Sequence, residues 1–494
     1  MSHTAGRRGI RQLVKESAPP QLRKGRGKSG ENHMNILGIL EEIHKMVWGP
    51  WTLAIFLGVG ICFSIRFGFF QVRGFGCWWG ATVGSLRKNT SEACGEKSKG
   101  NRGDKKQGAV SQLQSVCTAL AATVGTGNIA GVATALAAGG PGTLFWMWVS
   151  AFIGMITAYA ETALGIKSRI RDEGGGYLCG PFLYMERLLG MKGMGAFYAF
   201  LCLMCSFGMG SMVQSNAAMS ALTYAWDTPL LPGGILFTLL LCAVVWGGIR
   251  RIGTVAEKMM PAVSGLYILC CLLVIAASIH KLPGILREVM ICAFRPESAA
   301  GGVGGYMVSR SIRYGISRGV FSNEAGLGTL AILHGSAEEA DPGRQGMWAM
   351  FEVFFDTIVL CTMTGLVILC GAGTDPGELP YQGAALASWC FSSCLGRLGA
   401  DLVSASTAVF AFATIMAWYY IGRQAAAYLS GGGILEKRIY PILFLGAVFA
   451  GSQARVEVVW LLSDIWNGLM AFPNLTALLF LWREIPLPNG RQKK

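Results

Sequence analysis

Eleven apolar runs, each long enough or nearly so for the ~20 residues that a membrane-spanning helix needs, alternate with polar connections along this chain. They fall near residues 48–66, 110–138, 143–166, 195–225, 232–249, 256–280, 303–333, 347–371, 400–430, 439–453 and 456–482. The pattern predicts an all-α polytopic membrane protein with eleven transmembrane helices. Runs two to six (residues 110–280) and seven to eleven (residues 303–482) make two sets of five. Because five is odd, the second set starts on the opposite side of the bilayer and is inverted relative to the first. The first run is then an extra helix.

Each set opens on a run that is interrupted. In 110–138 the stretch Gly125-Thr126-Gly127-Asn128-Ile129-Ala130-Gly131 crowds glycine and polar residues where a membrane helix is normally most regular. The stretch Phe321-Ser322-Asn323-Glu324-Ala325-Gly326-Leu327-Gly328 does the same in 303–333. A lone G-x-x-x-G is as well explained by close helix packing. Two Gly-broken segments at corresponding places in two halves point instead to discontinuous helices at a transporter's binding site, since irregular backbone at membrane depth survives only where protein or a wet cavity covers it.

The flanks carry the charge. Residues 1–33 are polar and basic without an apolar core, and read as a disordered extension ahead of a natural start at Met34. Residues 34–109 hold an amphipathic segment, the first span and a basic loop, and 483–494 form a basic tail. Beyond residue 139, one side of the bilayer receives only Lys281, Arg287, Arg295, Arg397 and Arg455, whereas the other side collects 24 basic residues in all. The richer side is assigned to the cytoplasm, placing the amino terminus outside and the carboxyl terminus inside. The net charge of +14 therefore reflects topology and not nucleic-acid binding. With 52% hydrophobic and 14% charged residues, the chain lies far from the ~25% charged content of soluble domains. The fifteen cysteines are scattered and no histidine is central in a span, so neither a metal centre nor a cofactor is expected. No convergent nucleophile set marks an enzyme, and no repeated pore motif marks a channel.

An interrupted helix presents free N–H groups, which favour an anion, and free carbonyls, which favour a cation. A small zwitterionic amino acid satisfies both. Its carboxylate is expected on the N–H groups around Gly127 and Asn128, and its ammonium near the carbonyls of Thr123 and Phe321. Sodium, a hard ion, would take the Asn128 amide, the hydroxyls of Thr123 and Ser322, and exposed carbonyls. Gln214 is costly in lipid and needs a partner, whether as packing glue or as a pocket residue. Glu324 is an intramembrane carboxylate at the second break, functional by default or tethered to backbone or to Arg318. Asp356 is expected to pair with Arg310 or Arg313 in a structural role. Trp418 reads as an interfacial anchor or, since it lies well inside its run, as a pocket wall, and the Thr414 hydroxyl as a sodium ligand or a bond to its own helix.

At these residues the chain resembles the alanine or glycine:cation symporter family, also called sodium:alanine symporters. The resemblance rests on TALAATVGTGNIAGVATALAAGGPGTLFWMWVSAFIGMITAYAET, SRGVFSNEAGLG, FDTIVLCTMTGLVIL and FAFATIMAWYYIG, and extends from Met34 to the last span. It implies a leucine-transporter-like five-plus-five inverted fold behind one extra helix, in the amino acid-polyamine-cation superfamily. It further implies that Thr126 and Gly127 touch substrate. Thr123, Asn128 and Ser322 fall near one sodium position, while the Ala121 and Val124 carbonyls fall with Thr414 near a second. Gln214, Phe321, Asn323 and Trp418 line the pocket. The chain departs from the family at Ser111-Gln112-Leu113-Gln114-Ser115, at Ala413, where a hydroxyl is usual, and at Arg423, where an acid is usual. The missing hydroxyl leaves Thr414 alone beside the second sodium position.

The expected protein is a monomeric secondary transporter of a bacterial cell membrane, importing alanine or glycine with Na+ by alternating access. A proton-coupled carrier using Glu324 is the alternative. Its partners are a small neutral amino acid, sodium and the bilayer.

Overall fold

In lipid every backbone N–H must find a carbonyl within the protein, and a helix meets that need within one segment. The computed structural model describes residues 31–85, 111–172, 175–294, 303–338, 340–373 and 375–488, and nearly all of its regular structure is helical. α1 (Glu31–Val47) and α2 (Pro50–Arg66) precede two short helices, α3 (Phe70–Arg73) and α4 (Phe75–Ala81). The first interrupted helix is α5 (Gln112–Thr123) and α6 (Ala130–Gly139), followed by α7 (Thr143–Ser168). A small antiparallel hairpin, β1 (Ile170–Arg171) and β2 (Tyr177–Leu178), leads to α8 (Pro181–Arg187). α9 (Lys192–Phe207) runs through a π-helical turn, Gly208–Met212, into α10 (Val213–Trp226). Then come α11 (Leu230–Val245), α12 (Gly248–Ala277) and α13 (Leu282–Phe294). The second interrupted helix is α14 (Val303–Asn323) with α15 (Thr329–His334). α16 (Pro342–Val353) passes through a longer π-helical stretch, Phe354–Cys361, into α17 (Thr362–Ala372). α18 (Gly383–Leu395), α19 (Arg397–Ser430), α20 (Tyr440–Gln453) and α21 (Val456–Phe480) complete the chain.

Six of the described helical stretches are long and apolar enough to cross a membrane, or seven if the pair 113–123 and 126–139, bent by 42°, is one span. The apolar runs read from the sequence are helical, and three of the connections between them hold short helices as well. The basic loop after the first span begins with α3 and α4, held by an aromatic cluster in which Trp78 is buried against Phe75 and Phe354. Its later part, residues 86–110, lies outside the described residues, as do 1–30 and 489–494, while residues 31–33 of the expected extension belong to α1. The connection after the sixth run contains α13, whose buried residues Ile285, Val289 and Ala293 recur every four residues along one face. The connection before the ninth run contains α18, packed against α19, α17, α6 and α10. Both helices have 13 residues, too few to read as spans.

A buried ion pair joins the second interrupted helix to α21. Asp464 accepts from both terminal nitrogens of Arg318 at 2.7 and 2.6 Å, and His44 Nε2 of α1 lies 3.3 Å away. The Trp48 indole N–H meets the Asp464 carbonyl at 2.9 Å. Arg318 is 4% and Asp464 2% exposed, so removing one partner strands the other. Arg318→Ala is expected to lower stability by about 3–5 kcal/mol, read as a shift in the detergent-unfolding curve. Of the alternatives open for Glu324, this pairing removes the tether to Arg318.

Candidate functional site

The helix α5 stops because Val124 leaves helical geometry (φ −76°, ψ 85°) and Gly125 is extended (φ −137°, ψ −155°). A Cβ on Gly125 would sit 2.3 Å from the Thr414 hydroxyl oxygen, so only glycine allows α19 to approach here. Thr126–Asn128 then form one 3-10 turn before α6. The carbonyls of Ala121 to Val124 receive no backbone N–H among the described residues, and that of Ala121 accepts instead the Thr414 hydroxyl at 2.8 Å. At the amino side of the break, Gly125 N–H donates to Asn128 Oδ1 (2.9 Å) and the Asn128 N–H to Gly125 O (3.3 Å). The Gly127 N–H makes no hydrogen bond among the described residues. Asn128 N–H, expected free, is thus partly used by its own turn. Thr123, expected among the oxygens for sodium, turns its hydroxyl back to Ala119 O at 3.3 Å.

The second break is sharper. Glu324 adopts φ +57°, rare for a residue with a Cβ, and Gly326 and Gly328 follow at +91° and +81°. The carbonyls of Phe321, Ser322 and Asn323 receive no backbone N–H among the described residues. Past the break, Asn474 donates to Gly326 O (2.9 Å) and Tyr198 to Leu327 O (2.6 Å), replacing the lost helical bonds. Glu324 accepts from the Trp418 indole (2.8 Å) and from Thr329 (2.5 Å), tying α19 to the strained residue.

The breaks meet. A Cβ at Gly127 would lie 3.2 Å from Ser322 Cα and 3.5 Å from Phe321 Cδ1. Phe321 in turn packs against Trp460, with 4.8 Å between ring centres and the planes tilted by 40°. Asp356 lies beside this meeting point and binds no arginine among the described residues: it accepts from Asn128 Nδ2 at 2.6 Å and from Thr357 at 2.8 Å. That overturns the pairing expected with Arg310 or Arg313. Asn323 completes the cluster through Thr357 (3.1 Å) and the Ala325 N–H (3.1 Å), and Cys361 stands 3.4 Å from both Ser322 Oγ and Asn128 Nδ2. Gln214 accepts from Thr126 Oγ1 at 2.6 Å and donates to Met209 O at 3.0 Å, across the π-helical turn of α9 and α10. Thr126, Asn128, Asn323, Glu324, Asp356 and Trp418 are all fully buried. Beside the first break, a cavity of about 300 Å3 is walled by Cys117, Leu120, Val124, Met260, Phe351 and Phe355.

Thr357, Cys361 and Asn474 were missed in the sequence. Asn474 carried a signal, a lone amide in the apolar text AFPNLTALLF; it also binds Glu161 at 2.6 Å. Among the described residues no cluster of His, Cys, Asp or Glu could hold a metal. What the arrangement offers is oxygen dipoles, unpaired carbonyls and the open Gly127 N–H, among buried residues.

Interrupted helices packed break to break inside a polytopic helical protein are the arrangement in which membrane transporters bind their solutes. A model of the sodium:alanine symporter family matches residues 33–486. The chain is 37% identical to the sodium/alanine symporter AgcS of Methanococcus maripaludis, over 91% of this chain and 95% of that protein. It is 40% identical to an uncharacterized transporter of Haemophilus influenzae (92% and 95% covered) and 32% identical to a putative sodium/proton-dependent alanine carrier of Bacillus subtilis (92% of each). The chain belongs to the sodium:alanine symporter family and is a cation-coupled amino-acid symporter.

Proposed function

We propose that this symporter imports alanine, glycine or both with Na+ across a bacterial cell membrane by alternating access. In this reading eleven transmembrane helices form one extra helix and a leucine-transporter-like five-plus-five inverted repeat, with the amino terminus outside and the carboxyl terminus in the cytoplasm. The observation that carries it is the contact of the two breaks, which brings the open Gly127 N–H and the unpaired carbonyls of Phe321–Asn323 to one place. The substrate carboxylate binds at Thr126 and Gly127, and its ammonium faces the carbonyls of Phe321 and Thr123. Ser322, Asn323, Gln214 and Trp418 shape the pocket around a small side chain. One sodium ion uses Asn128 and Ser322 with the Thr123 carbonyl side of the break. A second uses the Ala121 and Val124 carbonyls with Thr414, a group already assembled at 2.8 Å between Thr414 and Ala121.

Full burial of the site means that neither solute enters without helix movement, as alternating access requires. The driving force suffices: one inward charge gives ~2.3 kcal/mol per 100 mV, and a tenfold sodium gradient adds about 1.4. Together they support roughly 500-fold accumulation.

A second reading, proton coupling, is favoured by buried Glu324, whose partners are neutral Trp418 and Thr329, and by the name of the Bacillus carrier. Uptake of labelled alanine into proteoliposomes separates the two. Accumulation is expected with an inward sodium gradient and to be lost when potassium replaces sodium. Unchanged uptake in potassium with a proton gradient would exchange the first reading for the second.

A further inference from the structure

Away from the broken helices, between the end of α11, α19 and the π-helical turn Leu435–Ile439, lies a second cavity of about 390 Å3. Its lining includes three cations, Arg423, Lys437 and Arg438, and one acid, Glu436. Arg423 takes up the acid: its Nε and Nη2 both bind Glu436 Oε1 at 2.9 Å. Lys437 and Arg438 are exposed and make no ion pair among the described residues. The cavity therefore keeps two unmatched positive charges beside a neutralised wall.

The neighbouring surface is apolar. Trp246, on the cavity rim, is 83% exposed, Ile442 72% and Leu443 54%. Exposed cations, an exposed indole and exposed aliphatic side chains around one cavity have the composition of a membrane–water boundary. Basic pockets between membrane helices suit anionic lipid head groups. A soluble anion would satisfy Lys437 and Arg438 alone, whereas a phospholipid whose chains cover the apolar rim also carries its phosphate to the level of the two cations. The cavity has room for a head group and its phosphate, with the acyl chains outside along the helices.

We infer that this cavity binds one anionic phospholipid, its phosphodiester held by Lys437 and Arg438, its glycerol against Trp246 and its chains along Ile442 and Leu443. Arg423 serves as a positioning residue: its pair with Glu436 keeps the acid away from the phosphate.

The test titrates the delipidated full-length protein in detergent with phosphatidylglycerol or phosphatidylcholine and counts bound lipid by native mass spectrometry. Wild type is expected to retain one phosphatidylglycerol in preference to phosphatidylcholine. Lys437→Gln/Arg438→Gln removes two exposed cations and should weaken that binding about thirtyfold, at ~1 kcal/mol per cation. The charge-preserving Lys437→Arg/Arg438→Lys should retain it, as should Lys192→Gln/Lys258→Gln, which removes two exposed cations elsewhere. Undiminished binding by the first variant, or equal binding of phosphatidylcholine, would overturn the assignment. Displacement by glycerol 3-phosphate at the lipid's own concentration would overturn it too, making this a soluble phosphate site.

Discussion

Gly127→Val is expected to abolish alanine binding while leaving a folded membrane protein. The added carbons must enter the gap between the two breaks, where a Cβ already lies 3.2 Å from Ser322 Cα and 3.3 Å from its hydroxyl. Neither neighbour yields cheaply, because Ser322 belongs to the last turn of α14 and that helix is anchored by Arg318 to Asp464. Overpacking costs about 1–3 kcal/mol. Screening the Gly127 N–H from a carboxylate removes a charge-assisted hydrogen bond of ~1.5–3 kcal/mol. Together these lower affinity by at least about 60-fold, and Gly127→Ala should fall between. Equilibrium binding of labelled alanine to detergent-solubilised protein reads the effect, with an unfolding curve as control. Wild-type affinity in the valine variant would place the substrate away from the breaks.

The breaks were legible because glycine and amide side chains are conspicuous in apolar text, and because the cost of open backbone in lipid gives them a physical reading. Their partners were less so. Gln214 reaches Thr126 from α10, just past a π-helical turn, and one extra residue in a helix rotates every later side chain by ~100°, which hydropathy does not register. Asp356 sits inside a second π-helical stretch, directed to Asn128 rather than to the arginines of α14. A one-dimensional reading matches opposite charges, but in this interior Asp356 is met by neutral donors. The same limit hid α13 and α18: at 13 residues each they are too short for a span, and only their packing shows them to be ordered.

The bond between Asn128 and Asp356 makes a prediction that distinguishes its chemistry from mere bulk. Asn128→Asp is nearly isosteric, yet it replaces the amide donor 2.6 Å from Asp356 Oδ1 with a second carboxylate. Two like charges at ~4 Å repel by about 4 kcal/mol at an effective dielectric of 20, and the pair escapes only by keeping a proton. Sodium-driven alanine uptake should therefore fall by at least ~100-fold near neutral pH. Adding Asp356→Asn reverses donor and acceptor. The carboxylate introduced at position 128 can still accept the Gly125 N–H, which in the native protein lies 2.9 Å from Asn128 Oδ1, and it can also accept from the new amide at position 356. The double variant, with one carboxylate restored, is expected to recover uptake to within about tenfold of wild type, since exchanging the ends of a hydrogen bond preserves most of its worth. Uptake measured across sodium concentrations in all four proteins completes the cycle. If the double variant is no better than Asn128→Asp, the two side chains do not act as one hydrogen-bonded unit, and Asn128 must serve the sodium ion independently of Asp356.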